Sequence, residues 1–374
     1  MFQTTQIQTP SDVIDLGRGD PSLAALPLNL IYESARDRLT ASDNSFLQYG
    51  VEQGDGHFRH ALAKFLTADY GFPVEPETLF ITNGISKALD LICTLFTQAG
   101  DTIFVEEPSY FLALDIFADH HLNVVTVDTD EHGLIPASLH EKLAGSRPKF
   151  LYLIPTFHNP SGRTLSQERR DQIVEIAREY DFLLLADEVY HSLHYAPRAF
   201  NSFAQYINSA SIISLGSFSK ILAPGLRLGW LQAHPDIIKR IAACGLLNSG
   251  GGLNPFTSAL ILGVIESGGL EKNIGALRQF YQKQIAVMDG ALHRHLSEAV
   301  YEVPLGGYFF WIRLPDGINT RELRMKAPAY KVDFRPGALF SSRNGLGNYM
   351  RLCFVHYEAS RIDEGVARLK ACLK

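Results

Sequence analysis

An α/β fold is predicted: a large domain built on a mainly parallel, doubly wound sheet, with a smaller α+β domain beside it. Three observations carry the prediction. At 374 residues the chain exceeds the roughly 250–300 residues at which a single core stops growing. From Thr78 to about Trp230, short apolar runs alternate with helical patterns, as strands joined by crossover helices do. After about residue 275 the texture changes to one long helical pattern followed by a few short strand-like runs. The division this suggests is 44–274 for the large domain, with 1–43 and 275–374 forming an N-terminal arm and a small C-terminal domain.

Composition narrows the function classes. Apolar residues make up 46% and charged residues 20%, the balance of an ordinary soluble globular protein, for which a cytoplasmic setting is the expectation. A net charge of −6 supplies no basic field for nucleic acid. No run approaches the roughly 20 apolar residues of a membrane span, and Met1 to Ser11 has neither the basic start nor the apolar core of a secretory signal. Cys93, Cys244, Cys353 and Cys372 are scattered without metal or disulfide spacing. Of the thirteen histidines, His57/His60 and His191/His194 have helix-like spacing but no acidic partner at ligand spacing, so no metal is expected.

Taken in order, the first 43 residues read as an extended arm and a short helix, with Gly17-Arg18-Gly19-Asp20-Pro21 as a loop between them. The two glycines let backbone approach a ligand while Arg18 reaches inward; a solvated turn is the bland alternative. Gln48-Tyr49-Gly50 opens a glycine-rich turn leading into an amphipathic helix with Phe58, Leu62, Phe65 and Leu66 on one face. Candidate strands follow at Leu79–Ile81, Thr102–Val105, Val124–Val127, Phe150–Ile154, Phe182–Ala186 and Ile212–Leu215. The unbroken apolarity of Phe150–Ile154 and Phe182–Ala186 marks strands covered on both faces. Between them, Ser166 is a good N-cap for a helix burying Ile173, Ile176, Ala177 and Tyr180. The C-terminal part reads as a long helix Ile274 to Leu296, strands near Gly306–Ile312, Val332–Phe334 and Met350–Phe354, and a closing helix from about Asp363.

Ligands of such sheets bind beyond the carboxyl ends of the strands, so the residues after each strand carry the functional reading. After the first comes Thr82-Asn83-Gly84-Ile85-Ser86, where free N–H groups at a helix start, a glycine and a hydroxyl could cradle a phosphate. The spacing fits neither a Walker loop nor a dinucleotide fingerprint. After the second, Tyr110 can lie flat on a planar ligand or simply pack in the core. Beyond Ile154, the turn Pro155 to Gly162 presents Asn159 as an amide donor. Asp187, following an apolar strand, is partly desolvated and should have a cationic partner; Tyr190 stands three residues on.

The last strand runs into Ser217-Phe218-Ser219-Lys220. A lysine at a strand end, among hydroxyls and before a Gly-Pro turn, can point its amine into a cleft and capture an aldehyde. Seven residues later, Arg227 is a fixed cation able to hold a phosphate on the same molecule. A surface lysine beside a surface arginine is the commoner outcome for either alone. Jointly, an aldehyde-capturing lysine, a carboxylate for a protonated pyridine, amide and phenol donors for a phenolate and a divided phosphate site match one cofactor, pyridoxal 5'-phosphate.

These stretches resemble the class I/II aminotransferases of fold type I, and most closely the branch holding 2-aminoadipate aminotransferases and the aminotransferase-like domains of MocR regulators. The likeness runs from Arg18 to Arg351 and rests on Phe150 to Gly162, Asp187-Glu188-Val189-Tyr190, Leu215 to Arg227 and Met350-Arg351-Leu352. It implies that Lys220 carries the cofactor covalently and then moves the substrate proton, that Asp187 keeps the ring nitrogen protonated, and that Tyr190 and Asn159 bind its phenolic oxygen. Tyr110 would stack on the ring, and Gly84, Ile85, Ser86, Ser217 and Arg227 would bind the phosphate. Arg351 would grip the substrate α-carboxylate, with Asn159, Arg18 and Gly19 beside it. Tyr49 would reach the phosphate of a neighbouring subunit, so a homodimer is implied. Aspartate-type members present a second arginine shortly before an Asn-Pro step, whereas Asn248 to Leu253 before Asn254-Pro255 holds no cation. That weakens a strict dicarboxylate reading unless Arg18 supplies the charge, and it leaves room for aromatic, branched-chain or bulky polar side chains; the expected donor is of the 2-aminoadipate, aromatic or branched-chain type, with 2-oxoglutarate as acceptor. Arg335 is a further cation near the site with no assigned role. The same residues would also suit a decarboxylase, a C–S lyase or an amino-acid oxidase, or a MocR-like sensor of the cofactor or an amino acid.

Overall fold

The computed structural model of the chain describes residues 10, 12–197 and 200–374. All of Met1 to Ser11 except Pro10, the stretch read for a signal, lies outside them. The strands in chain order are β1 (Ile14–Asp15), β2 (Leu79–Thr82), β3 (Thr102–Glu107), β4 (Asn123–Asp130), β5 (Gly133–Leu134), β6 (Phe150–Leu153), β7 (Leu183–Asp187), β8 (Ile212–Ser217), β9 (Gly229–Ala233), β10 (Phe309–Arg313), β11 (Val332–Asp333), β12 (Arg335–Pro336) and β13 (Tyr349–Cys353). Eight of them form one sheet in the order β2-β9-β8-β7-β6-β3-β4-β5. The central run β8, β7, β6, β3, β4 is parallel throughout. β9 is antiparallel to both β8 and β2, so β2 runs in the same sense as β8.

The sheet is mainly parallel, as predicted, but β9 was not among the candidate strands. Its sequence Gly-Trp-Leu-Gln-Ala carries a glycine and a glutamine and therefore lacks the apolar run that marks a buried strand. Gln232 is nevertheless buried, with its amide directed at the Thr78 hydroxyl 3.4 Å away.

Alternation sends successive side chains to opposite layers. Phe150 and Tyr152 pack with the helices Ile85–Phe96 and Phe111–Asp119, whereas Leu151 and Leu153 pack with Pro136–Gly145 and Gln167–Tyr180. Ser166 caps the last of these by accepting the Arg169 N–H. Its predicted face is right for Ile173, Ile176 and Ala177, while Tyr180 stays half-exposed.

A third cluster joins the helix Gly56–Tyr70, the helices Pro255–Glu266 and Gly269–His295, the strands β10 and β13, and the closing helix. That closing helix spans Ala359–Cys372, starting four residues before the expected Asp363. The N-terminal segment is tied to the C-terminal part where β1 pairs parallel with β11 and the Cys353 N–H donates to Leu16 O. The helix Leu28–Thr40 lies instead on Pro255–Glu266, where the Ser34 hydroxyl donates to Leu260 O at 2.6 Å. Gly17 to Asp20, between these two anchorages, is held across the carboxyl-end edge of the large sheet.

Candidate active site

β2, β3, β6, β7 and β8 all end at that edge, and a cavity of about 470 Å³ opens beyond them. Lys220 follows β8 and stands half-buried on the cavity wall. Its Nζ donates to Gly19 O at 2.5 Å and stands 5.1 Å from the centre of the Tyr308 ring, while the Tyr308 hydroxyl donates to Lys220 O. Burial pushes the amine down to about 8, so a neutral, nucleophilic form is within reach near neutral pH. Asp187 closes β7 on the cavity floor, and burial pushes its carboxyl up to about 6.

Among the described residues no cation forms a direct ion pair with Asp187, although the Lys220 charge favours its ionised form. Its strongest contact is with Tyr152, one strand away on β6, whose hydroxyl donates to Oδ2 at 2.9 Å. The reason lies in the register: Tyr152 pairs with Leu185 on β7, which brings the phenol up beside the strand end. The neighbouring Glu188 points the other way and takes the cation, lying 3.8 Å from Arg170 Nη1 and accepting from Ser214, Ser202 and the Phe203 N–H. Arg170 is itself fully buried and donates to Leu165 O, Pro155 O and Thr156 Oγ1, which fixes the two ends of the turn that carries Asn159.

Asn159 Oδ1 accepts from Arg351 Nη1 at 2.7 Å, leaving the amide Nδ2 as a donor for another group. Arg351 Nη2 donates to Gly17 O at 2.7 Å, and the guanidinium lies 4.0 Å over the Phe309 ring. Its Nε is buried without a partner, and no carboxylate among the described residues pairs with it. Burial pushes this guanidinium down to about 10. A buried, carboxylate-free cation facing a cavity is an open site for an anion.

On the far side, Ile85 and Ser86 begin the helix Ile85–Phe96 with their N–H groups free of intrahelical partners. Gly84 is not on the cavity wall but caps this helix at φ +81°, where a Cβ would come within 3.0 Å of Arg227 Nη2. The close approach of guanidinium to helix start therefore needs glycine. Arg227, itself at φ +47°, has its carbonyl held by the Asn254 amide, and Ser217 Oγ accepts the Ser219 N–H. Tyr110 and Tyr190 also line the cavity, and burial raises both phenols. Arg18 lines it too but is held by Asp20, through Nη2 at 2.8 Å and Nε at 3.3 Å.

The cavity thus gathers Arg18, Gly19, Ile85, Ser86, Tyr110 and Asn159 with Asp187, Tyr190, Ser217, Lys220, Arg227 and Arg351. Tyr49, like Gly84, is not part of its lining, and it is 85% exposed on the surface. Tyr152 was missed because a tyrosine inside an apolar strand reads as core. No group of three or more His, Cys, Asp or Glu side chains among the described residues is placed to hold a metal.

The donor set fits pyridoxal phosphate: one amine for the aldehyde, one carboxylate for the ring nitrogen, an arginine and a glycine-capped helix start for the phosphate. Because Tyr152 favours the ionised carboxylate, affinity for pyridoxal phosphate is expected to fall as pH drops through about 6, where Asp187 takes up a proton. Tyr152→Phe removes that donor and moves the midpoint upward. Spectroscopic titration of the cofactor-free protein at several pH values measures it; an unmoved midpoint would show that the hydrogen bond does not govern Asp187.

A family model described as aminotransferase class I and II matches residues 11–369. The chain is 34% identical to aromatic-amino-acid aminotransferase 1 of Thermococcus litoralis, over 97% of this chain and 88% of that protein. It is 30% identical to the 2-aminoadipate transaminase of Thermus thermophilus, over 97% and 90% of the two chains. Among solved structures, the kynurenine aminotransferase of Pyrococcus horikoshii, crystallised with PMP, superposes with a TM-score of 0.91 at 33% identity, covering 97% of this chain and 91% of that one.

Proposed function

The chain belongs to the class I and II aminotransferases and is a pyridoxal-phosphate enzyme of fold type I, and from that premise we propose that it moves the amino group of a 2-aminoadipate, aromatic or branched-chain L-amino acid to 2-oxoglutarate. The observation that carries the reading is the convergence of Lys220, Asp187 and the carboxylate-free Arg351 on one cavity.

In this reading Arg227, Ser217, Ser86 and the N–H groups near Ile85 bind the phosphate, with Gly84 making room. Asp187, Asn159 and Tyr190 hold the ring, and Tyr110 stacks on it. When bound, the cofactor supplies an aldehyde for the amino group and a protonated ring that accepts the electrons of the breaking Cα–H bond. Arg351 orients the α-carboxylate by a two-pronged contact. Lys220 Nζ, neutral once its proton is lost near pH 8, takes the proton from the amino acid's Cα. Arg18 and Gly19 close over the amino acid.

The working unit is proposed to be a homodimer, in which Tyr49 serves the partner's phosphate site. Leu47, Tyr49, Val51 and Leu246 support this, because they are more than half exposed on segments that touch where Gly251 and Gly252 meet Gly50 and Val51. The division at 44–274 and a cytoplasmic setting belong to the same proposal. No helix among the described residues is long and apolar enough to cross a membrane.

Adding amino acids singly to the loaded protein without any oxo acid tests the reading. The visible absorbance of the cofactor is expected to bleach with good donors, and product formation to stop after one equivalent until 2-oxoglutarate is added. Continued turnover without an oxo acid would instead indicate decarboxylation, elimination or oxidation, and no response to any amino acid a sensor.

A further inference from the structure

Arg335 stands directly opposite Arg351 across β12 and β13, so both side chains leave the sheet on one face. Two like charges in that position repel each other, a cost that needs an anion to offset it. Both guanidiniums converge on Gly17. Arg351 Nη2 donates to its carbonyl at 2.7 Å, and a Cβ added to Gly17 would lie 2.7 Å from Arg335 Nη1. Both side chains line the cavity of Lys220.

The ion pairs of Arg335 are the loose ones in its network. Its two contacts to Asp15 are both 3.4 Å long, and its contact to Asp333 is 3.1 Å. Asp333 is already gripped by Arg324 at 2.8 and 3.0 Å, and Asp15 Oδ1 accepts the Gly17 N–H at 2.9 Å. Arg335 is therefore the shared, poorly satisfied member, and its side chain remains 21% exposed toward the cavity. Arg18, the other cation on this wall, is held by a shorter two-pronged contact to Asp20.

We propose that Arg335 is the specificity-determining residue for the distal carboxylate of a dicarboxylic substrate. Arg351 takes the carboxylate beside the reacting carbon, and Arg335 exchanges its long contacts with Asp15 for the far one. The inference rests on the aminotransferase reading and gives the amino acceptor a structural basis as a short-chain 2-oxo dicarboxylic acid. A neutral amino donor leaves Arg335 on Asp15 and Asp333, so one pocket serves both partners without a second binding site.

Glutarate and pentanoate have the same carbon count and differ by one carboxylate, so their affinities for the loaded enzyme, measured by calorimetry, test the assignment without turnover. Glutarate is expected to bind about tenfold or more tightly, as a charge-assisted contact requires, and Arg335→Gln to remove most of that preference. In parallel, the kcat/KM ratio of 2-oxoglutarate over pyruvate is expected to fall about tenfold or more in Arg335→Gln. Should that variant fail to fold, Arg335→Lys carries the test, with a few-fold fall as the fork is lost; no fall overturns the proposal. Equal affinities in the wild type, or a preference that survives Arg335→Gln and disappears in Arg18→Gln, would also overturn it. An Arg335-dependent glutarate preference in a protein that transaminates nothing would sink the aminotransferase reading and leave this one standing.

Discussion

Lys220→Met is expected to abolish turnover, by at least about 10³-fold, because in the proposed mechanism one amine both anchors the cofactor and moves the substrate proton. Methionine keeps the length and apolar stem of the side chain, so the burial against Tyr308 survives while the amine is lost. Two further readouts separate this from simple misfolding. Borohydride treatment should add the cofactor's mass to the wild-type peptide containing Lys220 and not to the variant's, while Arg227 and the helix start still retain cofactor non-covalently. The second is pH dependence. The folded amine is held at about 8 against an ordinary value near 10.5, so between these values the folded state carries fewer protons than the unfolded state. Stability of the cofactor-free wild type should therefore rise with pH across that window, by up to roughly 3 kcal/mol. Thermal midpoints of the variant should lack this slope. A variant with full activity, or with the wild-type slope, would remove Lys220 from the centre of the site.

Arg351→Met should lower kcat/KM for every amino donor by on the order of 10²–10³, the cost of losing a two-pronged buried charge contact. The stability effect has the opposite sign. Arg351 is buried without a carboxylate partner among the described residues, so the protein without substrate bears the desolvation of an unneutralised cation. An apolar chain of similar length stacked on Phe309 removes that penalty, although Asn159 Oδ1 and Gly17 O lose a donor. The thermal midpoint of the cofactor-free variant should therefore hold or rise while activity collapses. A midpoint that fell by several degrees along with activity would make Arg351 a structural residue.

Much of the site was readable because its parts sit at fixed offsets from apolar strands. A strand covered on both faces ends where polarity begins, so Asp187 after Leu183–Ala186 and Lys220 after Ile212–Ser217 announce themselves by position. The helix start at Gly84, Ile85 and Ser86 follows from the same logic. Residues that act across strands gave no such sign. Tyr152 is one of four apolar or aromatic residues in β6, and only its register against Leu185 turns its hydroxyl to Asp187. Arg170 reads as a surface helix residue, yet it is fully buried beneath the Asn159 turn.

The chain's own sequence determined the fold class, most of the sheet-forming runs and the residues proposed to hold the cofactor, because periodicity and strand-end chemistry are local properties. Which cations face a ligand and which are neutralised was decided only by the tertiary structure. Arg18, Arg335 and Arg351 are equally charged on paper. Asp20 holds the first, Asp15 and Asp333 loosely share the second, and the third meets no carboxylate among the described residues. That difference comes from partners up to 320 residues apart in the chain, brought together by the pairing of β1 with β11 and of β12 with β13, and no pattern within one segment could contain it.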